Sequence, residues 1–297
     1  MNLLVDKVVK KYDKVVLDNI NLDIKDPGVY LIAGPNGSGK TTLLEIIAGL
    51  RKADSGEVLV SGYKAGSIKA KKELGFLCQQ NGLRKTIKLK EEMALVKDIF
   101  RIEVDDIDYL KKFNLEEYYK NKTSTLSGGT KRRFLTAILF LANQNIIMLD
   151  EPVSGLDTYS RDEIWNTIRE YGKDHIVIVS DHYLNQARLY SDIIILLNNG
   201  KIVAKDTFEN IRKKCPFEKL IKVRDSNVSA IKQIIEQSGG IYELKVSGTV
   251  NNFYVRNNIG EIYDKVKDLK VSVHDLDLED IYFYLTGKKS HSEETLR

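Results

Sequence analysis

The feature that most constrains this chain is a glycine-rich segment between an apolar run and a helical pattern. Apolar residues 29–33 precede the segment as a buried strand, and residues 41–50 follow it with helical spacing. The glycines therefore lie where a strand turns into a helix, as in folds that alternate strands and helices. The segment is Gly34-Pro35-Asn36-Gly37-Ser38-Gly39-Lys40-Thr41-Thr42.

The residue types of this segment are suited to holding phosphate groups. Gly34, Gly37 and Gly39 leave the backbone free to curl, so that successive N–H groups and the helix N-terminus can face the phosphates. Lys40 supplies a point charge for the β and γ phosphates, and the Thr41 hydroxyl can ligate Mg²⁺. By itself the pattern G-x-x-x-x-G-K-[ST] predicts only that a nucleoside triphosphate is bound.

Two carboxylates and a histidine follow further apolar runs. Residues 146–149 predict a buried parallel strand that delivers Asp150 and Glu151 at its carboxyl end, where open α/β sheets place their ligands. We expect Asp150 to hold Mg²⁺ through water and Glu151 to be the base for the attacking water. His182 follows the apolar run 176–179, which would bring its imidazole to the γ-phosphate side.

A second glycine-containing motif, Leu126-Ser127-Gly128-Gly129, precedes a helical run over residues 130–142. A serine and two glycines at a helix N-terminus are suited to holding an anion. Without the segment at 34–42, the same residues would indicate only a loop before a helix.

With these motifs in this order, the chain resembles the ATP-binding cassette (ABC) ATPases, the nucleotide-binding subunits of ABC transporters, over roughly residues 1–215. The resemblance implies an α/β fold, a P-loop NTPase cassette with a RecA-like core, an antiparallel β subdomain and a helical signature subdomain at about residues 85–142. It implies ATP and Mg²⁺ as cofactors. The residues implied to bind nucleotide are Tyr12, Gly34, Pro35, Asn36, Gly37, Ser38, Gly39, Lys40, Thr41, Thr42, Ser127, Gly128 and Gly129.

The resemblance also assigns individual roles. Tyr12 would stack on adenine, and Gln79 would sense Mg²⁺ and the transmembrane partner, with Gln80 as the rival for that role. His182 would be the switch histidine. Thr130 departs from the family, whose signature usually continues with glutamine or a similar longer side chain, so the outer contacts of the signature stay open. The implied catalytic residues are Glu151, His182 and Lys40, and the implied metal residues are Thr41, Gln79 and Asp150.

The resemblance implies two kinds of partner. In this family the signature binds the γ phosphate held by another subunit, so two cassettes close head to tail around two ATP molecules. Intact motifs on both sides permit a homodimer without requiring one. The longest mostly apolar run, residues 134–142, has nine residues, whereas a membrane helix needs about 20. A membrane-spanning transporter subunit would then be a separate polypeptide, with this chain peripheral on the cytoplasmic face of the membrane.

Composition fits this interpretation. A length of 297 residues predicts about two domains. A net charge of +4 is too small to indicate nucleic acid as a partner. Cys78 and Cys215 lie far apart without metal-ligand spacing, as expected in a reducing compartment.

The pattern changes after Pro216. The strand and helix signals that follow have the order βαββαβ, which predicts a small α+β domain of ferredoxin-like type. The predicted domains are therefore a cassette at 1–216, an accessory domain at 217–287 and a polar tail at 288–297. Residues 278–287 resemble the terminal stretch of ATPase subunits from the ABC-2 type exporters.

The leading functional hypothesis is an ATPase subunit that powers a separate membrane exporter. One alternative is a soluble ABC ATPase that acts as a switch on a ribosome or assembly complex; many of those carry two cassettes, and this chain has one P-loop. A non-hydrolysing regulatory cassette is a third possibility, but the residues at 40, 150, 151 and 182 are intact. The sequence does not identify the transported substrate.

Overall fold

The computed structural model describes residues 1–79, 83–84, 86–224, 227–267 and 269–287. Two compact units divide the chain: unit 1 is Met1–Ile202 and unit 2 begins at Val203. Gln80, the rival to Gln79, and the tail at 288–297 lie outside the described residues. The domain boundaries expected from the sequence stay predictions.

Unit 1 is built on two sheets and the helices around them. Its strands, with the last one crossing into unit 2, are β1 (Leu3–Lys11), β2 (Val15–Ile24), β3 (Gly28–Ala33), β4 (Ser55–Val60), β5 (Tyr63–Lys64), β6 (Leu74–Leu77), β7 (Ile146–Asp150), β8 (Ile176–Asp181), β9 (Ile193–Asn198) and β10 (Lys201–Asp206). Its helices are α1 (Lys40–Ile47), α2 (Ile68–Glu73), α3 (Leu89–Phe100), α4 (Asp106–Lys111), α5 (Gly128–Leu141), α6 (Thr158–Gly172) and α7 (Leu184–Ala187), with 3₁₀ turns at 116–118, 123–125 and 188–190.

The larger sheet has the strand order β10-β9-β3-β8-β7-β6, and the neighbours from β9 to β6 run parallel. The register pairs Ala33 with Asp181 and Asp150 with Ser180. The carboxyl ends of β3, β7 and β8 therefore meet at one edge, where parallel sheets place their ligands.

The smaller sheet has the order β2-β1-β4-β5 and is antiparallel. One apolar cluster contains residues of both sheets and of α1. This shared core fixes the start of α1, and with it the glycine-rich segment, beside the carboxyl ends of the parallel strands.

A hairpin turns at Asn199-Gly200, a dipeptide that is typical of such turns. It joins β9 to β10, and both residues have positive φ, at 47° and 74°. A two-residue turn with positive φ at both positions is type I′, the turn that suits the twist of a hairpin.

Unit 2 contains a four-stranded antiparallel sheet of order β12-β13-β11-β14. From β11 to β14 its elements follow the order βαββαβ that the sequence predicts, while the ferredoxin-like assignment stays a prediction. The elements are α8 (Phe208–Lys213), β11 (Lys219–Arg224), α9 (Val228–Gln237), β12 (Ile241–Ser247), β13 (Val250–Arg256), α10 (Ile259–Val266), β14 (Ser272–Asp275) and α11 (Leu278–Thr286).

Among the residues that the structure describes, no helix has both the length and the apolar character needed to cross a membrane.

A buried carboxylate links the sheet of unit 2 to α11. The Asp280 side chain is only 7% exposed, and its oxygens lie 3.0 Å from Lys222 Nζ and 3.1 Å from His274 Nε2. Burial opposes ionisation of this group, but the hydrogen bond with His274 and the charge of Lys222 outweigh it and lower the pKa of Asp280. The ionised carboxylate therefore stabilises unit 2.

Replacing Asp280 with asparagine should lower the free energy of unfolding by about 1–3 kcal/mol at pH 7, because an amide cannot replace the charge between Lys222 and His274. Since the folded pKa lies below the unfolded value of 3.8, the stabilisation is present above about pH 4 and disappears as the pH falls through the folded pKa. Urea unfolding followed by circular dichroism between pH 3 and 7 measures both effects.

The matched control is Asp264→Asn, which removes an exposed carboxylate 3.2 Å from Lys267 on α10. Exposed pairs of this kind contribute little, so the control should unfold like the parent protein. Equal stability of the parent protein and Asp280→Asn at pH 7 would contradict the role given to Asp280.

Candidate nucleotide-binding site

A cavity of about 460 Å³ lies at the carboxyl edge of the parallel sheet. Nine of the residues predicted from the sequence line it, from the glycine-rich segment, from the end of β6 and from the ends of β7 and β8. The full lining consists of Lys14, Val16, Asn36, Gly37, Gly39, Lys40, Thr41, Thr42, Gln79, Glu151 and His182.

The glycine-rich segment needs its glycines for steric reasons. Gly39 has a φ of 107°, and a Cβ atom there would lie 2.7 Å from Leu17 Cδ2 and 2.9 Å from the Val16 carbonyl oxygen. A Cβ atom at Gly34 would collide with the Leu197 carbonyl oxygen. The backbone can therefore curl around the start of α1 only with glycine at these positions.

The Lys40 ammonium lies inside the curve of the glycine-rich segment. Its side chain is buried, and Nζ donates hydrogen bonds to the carbonyl oxygens of Gly34 at 2.8 Å and Pro35 at 3.2 Å. Burial lowers the pKa of Lys40, against the opposing effect of the nearby carboxylates of Glu151 and Asp150. The loop thus holds a partly desolvated cation, which a phosphate would bind strongly.

Asp150 is 1% exposed and accepts a hydrogen bond on each carboxylate oxygen. Thr41 Oγ1 donates to Oδ2 at 2.9 Å, and Ser180 Oγ donates to Oδ1. The described residues contain no cluster of three or more His, Cys, Asp or Glu that could hold a metal ion alone. The pair of Thr41 and Asp150 nevertheless fits Mg²⁺, which takes oxygen ligands and is commonly held by one or two carboxylates together with substrate phosphates.

Glu151 lies between two other predicted residues. Gln79 Nε2 donates to its Oε2 at 3.0 Å, and His182 Nδ1 lies 3.6 Å from the same oxygen. The His182 imidazole, and beyond it the Lys40 ammonium, lower the pKa of Glu151 although burial opposes them. Conversely, the carboxylate of Glu151 raises the pKa of His182. The carboxylate is therefore ionised at neutral pH.

Tyr12 does not line the cavity. The residue is 50% exposed, and Lys10 Nζ and Arg51 Cζ lie 5.4 Å and 5.5 Å from the centroid of its ring. Lys14 and Val16, which the sequence analysis did not single out, line the wall instead. The stacking role of Tyr12 stays a prediction.

The signature residues Ser127, Gly128 and Gly129 also lie outside the cavity lining. Ser127 is the N-cap of α5, is exposed, and accepts a hydrogen bond from Thr130 N at 3.1 Å. Thr130, the departure from the family pattern, is buried with its hydroxyl 2.8 Å from Ser127 Oγ. The buried threonine therefore stabilises the N-cap of α5 through the contact between its hydroxyl and Ser127 Oγ.

Arg132 is a site residue that the sequence analysis missed. Its guanidinium donates to the backbone carbonyls of Cys78, Asp150, Glu151 and Pro152. In the sequence it is one member of the basic run 131–133, and nothing in such a run indicates which side chain turns inwards.

Comparison with known proteins identifies the family. The profile described as "ABC transporter" matches residues 17–154. The protein named "Probable sulfate/thiosulfate import ATP-binding protein CysA" from Chlorella vulgaris is 32% identical over 219 residues, which cover 68% of this chain and 90% of that protein. The chain belongs to the ABC transporter family.

Coverage differs widely among the relatives of this cassette. "ATP-binding cassette sub-family A member 2" of rat and human is 30% identical over 210 residues, which are 67% of this chain but only 8% of those proteins. "Linearmycin resistance ATP-binding protein LnrL" of Bacillus subtilis (strain 168) is 24% identical over 306 residues, 96% of this chain and 98% of that protein.

Solved structures show the same fold. The "Dimeric structure of a post-hydrolysis state of the ATP-binding cassette MJ0796 bound to ADP and Pi" is 28% identical, with a TM-score of 0.62, and the match covers 69% of this chain and 98% of that one. The predicted α/β P-loop NTPase cassette is therefore confirmed, and the prediction of ATP as its ligand is supported.

The position of Lys40 leads to a prediction on affinity. Lys40→Ala should weaken ATP binding about 10- to 100-fold, because a buried, charge-assisted contact to phosphate is removed. Isothermal titration calorimetry measures the dissociation constant. Lys25→Ala removes a cation that is 67% exposed and should bind ATP like the parent protein. An unchanged dissociation constant for Lys40→Ala would show that the ammonium does not contact the phosphates.

Proposed function

We propose that this chain is the ATP-binding and ATP-hydrolysing subunit of an ABC exporter, with a separate membrane-spanning subunit and a second cassette as partners. The observation that carries the proposal is the meeting of Lys40, Glu151 and His182 in one cavity beside the Thr41–Asp150 pair. This set combines a phosphate-binding cation, an ionised base and a place for Mg²⁺, which are the parts that phosphoryl transfer to water needs.

Each residue of the cavity has a separate role in the proposed hydrolysis of ATP. Lys40 would bind the β and γ phosphates, while Thr41 and Asp150 would hold Mg²⁺, which would supply charge neutralisation of the phosphates. Glu151 takes a proton from the attacking water, the water oxygen bonds to the γ phosphorus, and the bond to the bridging oxygen breaks with ADP as the leaving group. Gln79 orients the Glu151 carboxylate through its hydrogen bond, and His182, whose Nδ1 lies 3.6 Å from that carboxylate, would face the γ phosphate.

A second cassette completes the site in this proposal. Ser127 is exposed at the N-terminus of α5, outside the cavity that holds Lys40. A helix N-terminus capped by serine is suited to bind the γ phosphate of a partner's nucleotide. The dimeric MJ0796 cassette, 28% identical, supports a pair of cassettes, and the intact motifs permit a second copy of this chain as the partner.

Two relatives with resistance names support an exporter, and the resemblance of residues 278–287 to the ABC-2 type exporters supports that type. LnrL is named for linearmycin resistance, and the relative DrrA of Mycobacterium tuberculosis, 29% identical over 225 residues, for doxorubicin resistance. A peripheral position on the cytoplasmic face of the membrane follows from this role. The alternative of a soluble switch on a ribosome or assembly complex is not favoured, because CysA is named for import and LnrL and DrrA are named for resistance.

Within this proposal the cassette extends to residue 216, its helical signature subdomain spans about 85–142, and residues 217–287 form a ferredoxin-like accessory domain. The βαββαβ order and the strand order β12-β13-β11-β14 support the last assignment.

The role of Glu151 predicts a separation of binding from turnover. Glu151→Gln should keep the ATP affinity of the parent protein and lower the hydrolysis rate by about 10²- to 10⁴-fold, because an amide cannot accept the proton of water. Phosphate release measures turnover, and light scattering should show a dimer that accumulates with ATP. Glu170→Gln, which changes an exposed carboxylate on α6, is the control. Hydrolysis by Glu151→Gln at the parent rate would mean that another group is the base.

The role of Ser127 predicts an effect of charge at the partner-facing end of α5. Aspartate and asparagine cap helices about as well as serine, so Ser127→Asp and Ser127→Asn should both fold like the parent protein. The aspartate should repel the partner's γ phosphate, reduce dimerisation with ATP and lower turnover at least tenfold relative to asparagine, while monomer ATP affinity stays unchanged. Equal turnover and dimerisation of the two variants would refute a contact between Ser127 and a partner's nucleotide.

A further inference from the structure

Arg132 makes an unusual set of contacts one turn into α5. Its Nη2 donates to the carbonyl oxygens of Asp150 at 2.6 Å and Glu151 at 3.0 Å, and its Nε donates to that of Pro152 at 3.1 Å. Three consecutive carbonyls therefore converge on one guanidinium. A planar fork with five N–H donors is the side chain best able to bind several acceptors in fixed directions.

The segment that Arg132 holds has a strained backbone. Glu151 has a φ of 50°, in the left-handed region that a side chain with a Cβ atom disfavours. Such a conformation persists only where surrounding contacts determine it, and it is frequent at functional sites. Here those contacts are the bonds from Arg132 and the hydrogen bond from Glu151 N to the Ser180 carbonyl oxygen at 3.0 Å.

The fourth contact of the guanidinium reaches another element of the site. Arg132 Nη1 donates to the Cys78 carbonyl oxygen at 3.1 Å, directly before Gln79. Gln79 in turn donates to the Glu151 carboxylate. One side chain thus fixes the backbone at both ends of the Gln79–Glu151 hydrogen bond.

We propose that Arg132 is a positioning residue for ATP hydrolysis: it fixes the turn after β7 and the backbone before Gln79, and so places the Glu151 carboxylate for proton transfer. This inference rests on the proposed role of Glu151. The hydrogen bonds that the Arg132 guanidinium donates within the described part of the chain go to backbone carbonyls, so its effect on turnover passes through the residues that it holds.

The experiment separates positioning from general stability by measuring kcat, the ATP dissociation constant and the thermal midpoint of full-length variants. Arg132→Gln should lower kcat about 10- to 100-fold, as expected for a small displacement of a reacting group, with the dissociation constant within about threefold of the parent value. Arg132→Lys should give an intermediate kcat, because one ammonium keeps the charge but cannot bond four carbonyls in fixed directions. Lys131→Gln removes the neighbouring charge and should behave like the parent protein.

A combined variant tests whether Arg132 acts through Glu151. If it does, adding Arg132→Gln to Glu151→Gln should lower the residual rate by less than about twofold, because the misplaced group is already inactive. A further loss as large as in the parent background would overturn the inference.

Three further outcomes would contradict the positioning role of Arg132 or separate it from the role of Glu151. A kcat equal to that of the parent protein in Arg132→Gln, or in Arg132→Lys, would show that the guanidinium is not needed. An equal loss of kcat and ATP affinity would show a merely structural role. If Arg132→Gln fails to fold, Arg132→Lys decides instead. A loss of kcat that exceeds the loss of ATP affinity supports positioning, and equal losses contradict it. Parent-like turnover of Glu151→Gln would remove the proposed base as well, whereas an inactive Glu151→Gln beside a fully active Arg132→Gln would remove this inference alone.

Discussion

The buried Asp150 carboxylate is the contact on which the rest of the site depends. A carboxylate that is 1% exposed is costly unless hydrogen bonds replace its water. Here Thr41 from α1 and Ser180 from β8 supply them. The same bonds join the first helix to two central strands, so that the need to satisfy one charge fixes the glycine-rich segment against the sheet. The cavity geometry follows from this junction, because Lys40 and Glu151 are the direct neighbours of Thr41 and Asp150 in the chain.

The charges around the cavity are mutually dependent. Lys40 loses hydration on burial, and Glu151 loses part of its hydration as well, yet each favours the charged form of the other. His182 adds to this balance by pairing with Glu151 when protonated. Because Lys40 bonds to loop carbonyls that are neutral acceptors, a phosphate oxygen with full charge would be the stronger partner.

Much of this arrangement could be predicted from the sequence because local patterns determine it. The apolar runs at 146–149 and 176–179 are found as β7 and β8, and the parallel register brings Asp150 and His182 to one edge as expected. Contacts across long sequence separations could not be predicted. The bonds from Arg132 to carbonyls at 78 and 150 depend on how α5 packs on two strands, and the exposure of Tyr12 depends on neighbours at 10 and 51. The positive φ of Glu151 left no mark in the sequence, because glutamate gives no indication of a left-handed backbone.

Helix α5 connects the two halves of the proposed chemistry. Ser127 caps its exposed N-terminus, and Arg132, five residues later, lies roughly 140° further around the helix axis. The N-terminus of the helix is therefore exposed, while another side of the helix holds the turn that carries Glu151. Because an α-helix moves as a stiff rod over such a short distance, a shift of its N-terminus towards a phosphate would also shift the guanidinium and the carbonyls bound to it. In the proposed dimer, the placement of the base in one cassette would then depend on what the same cassette binds at its signature.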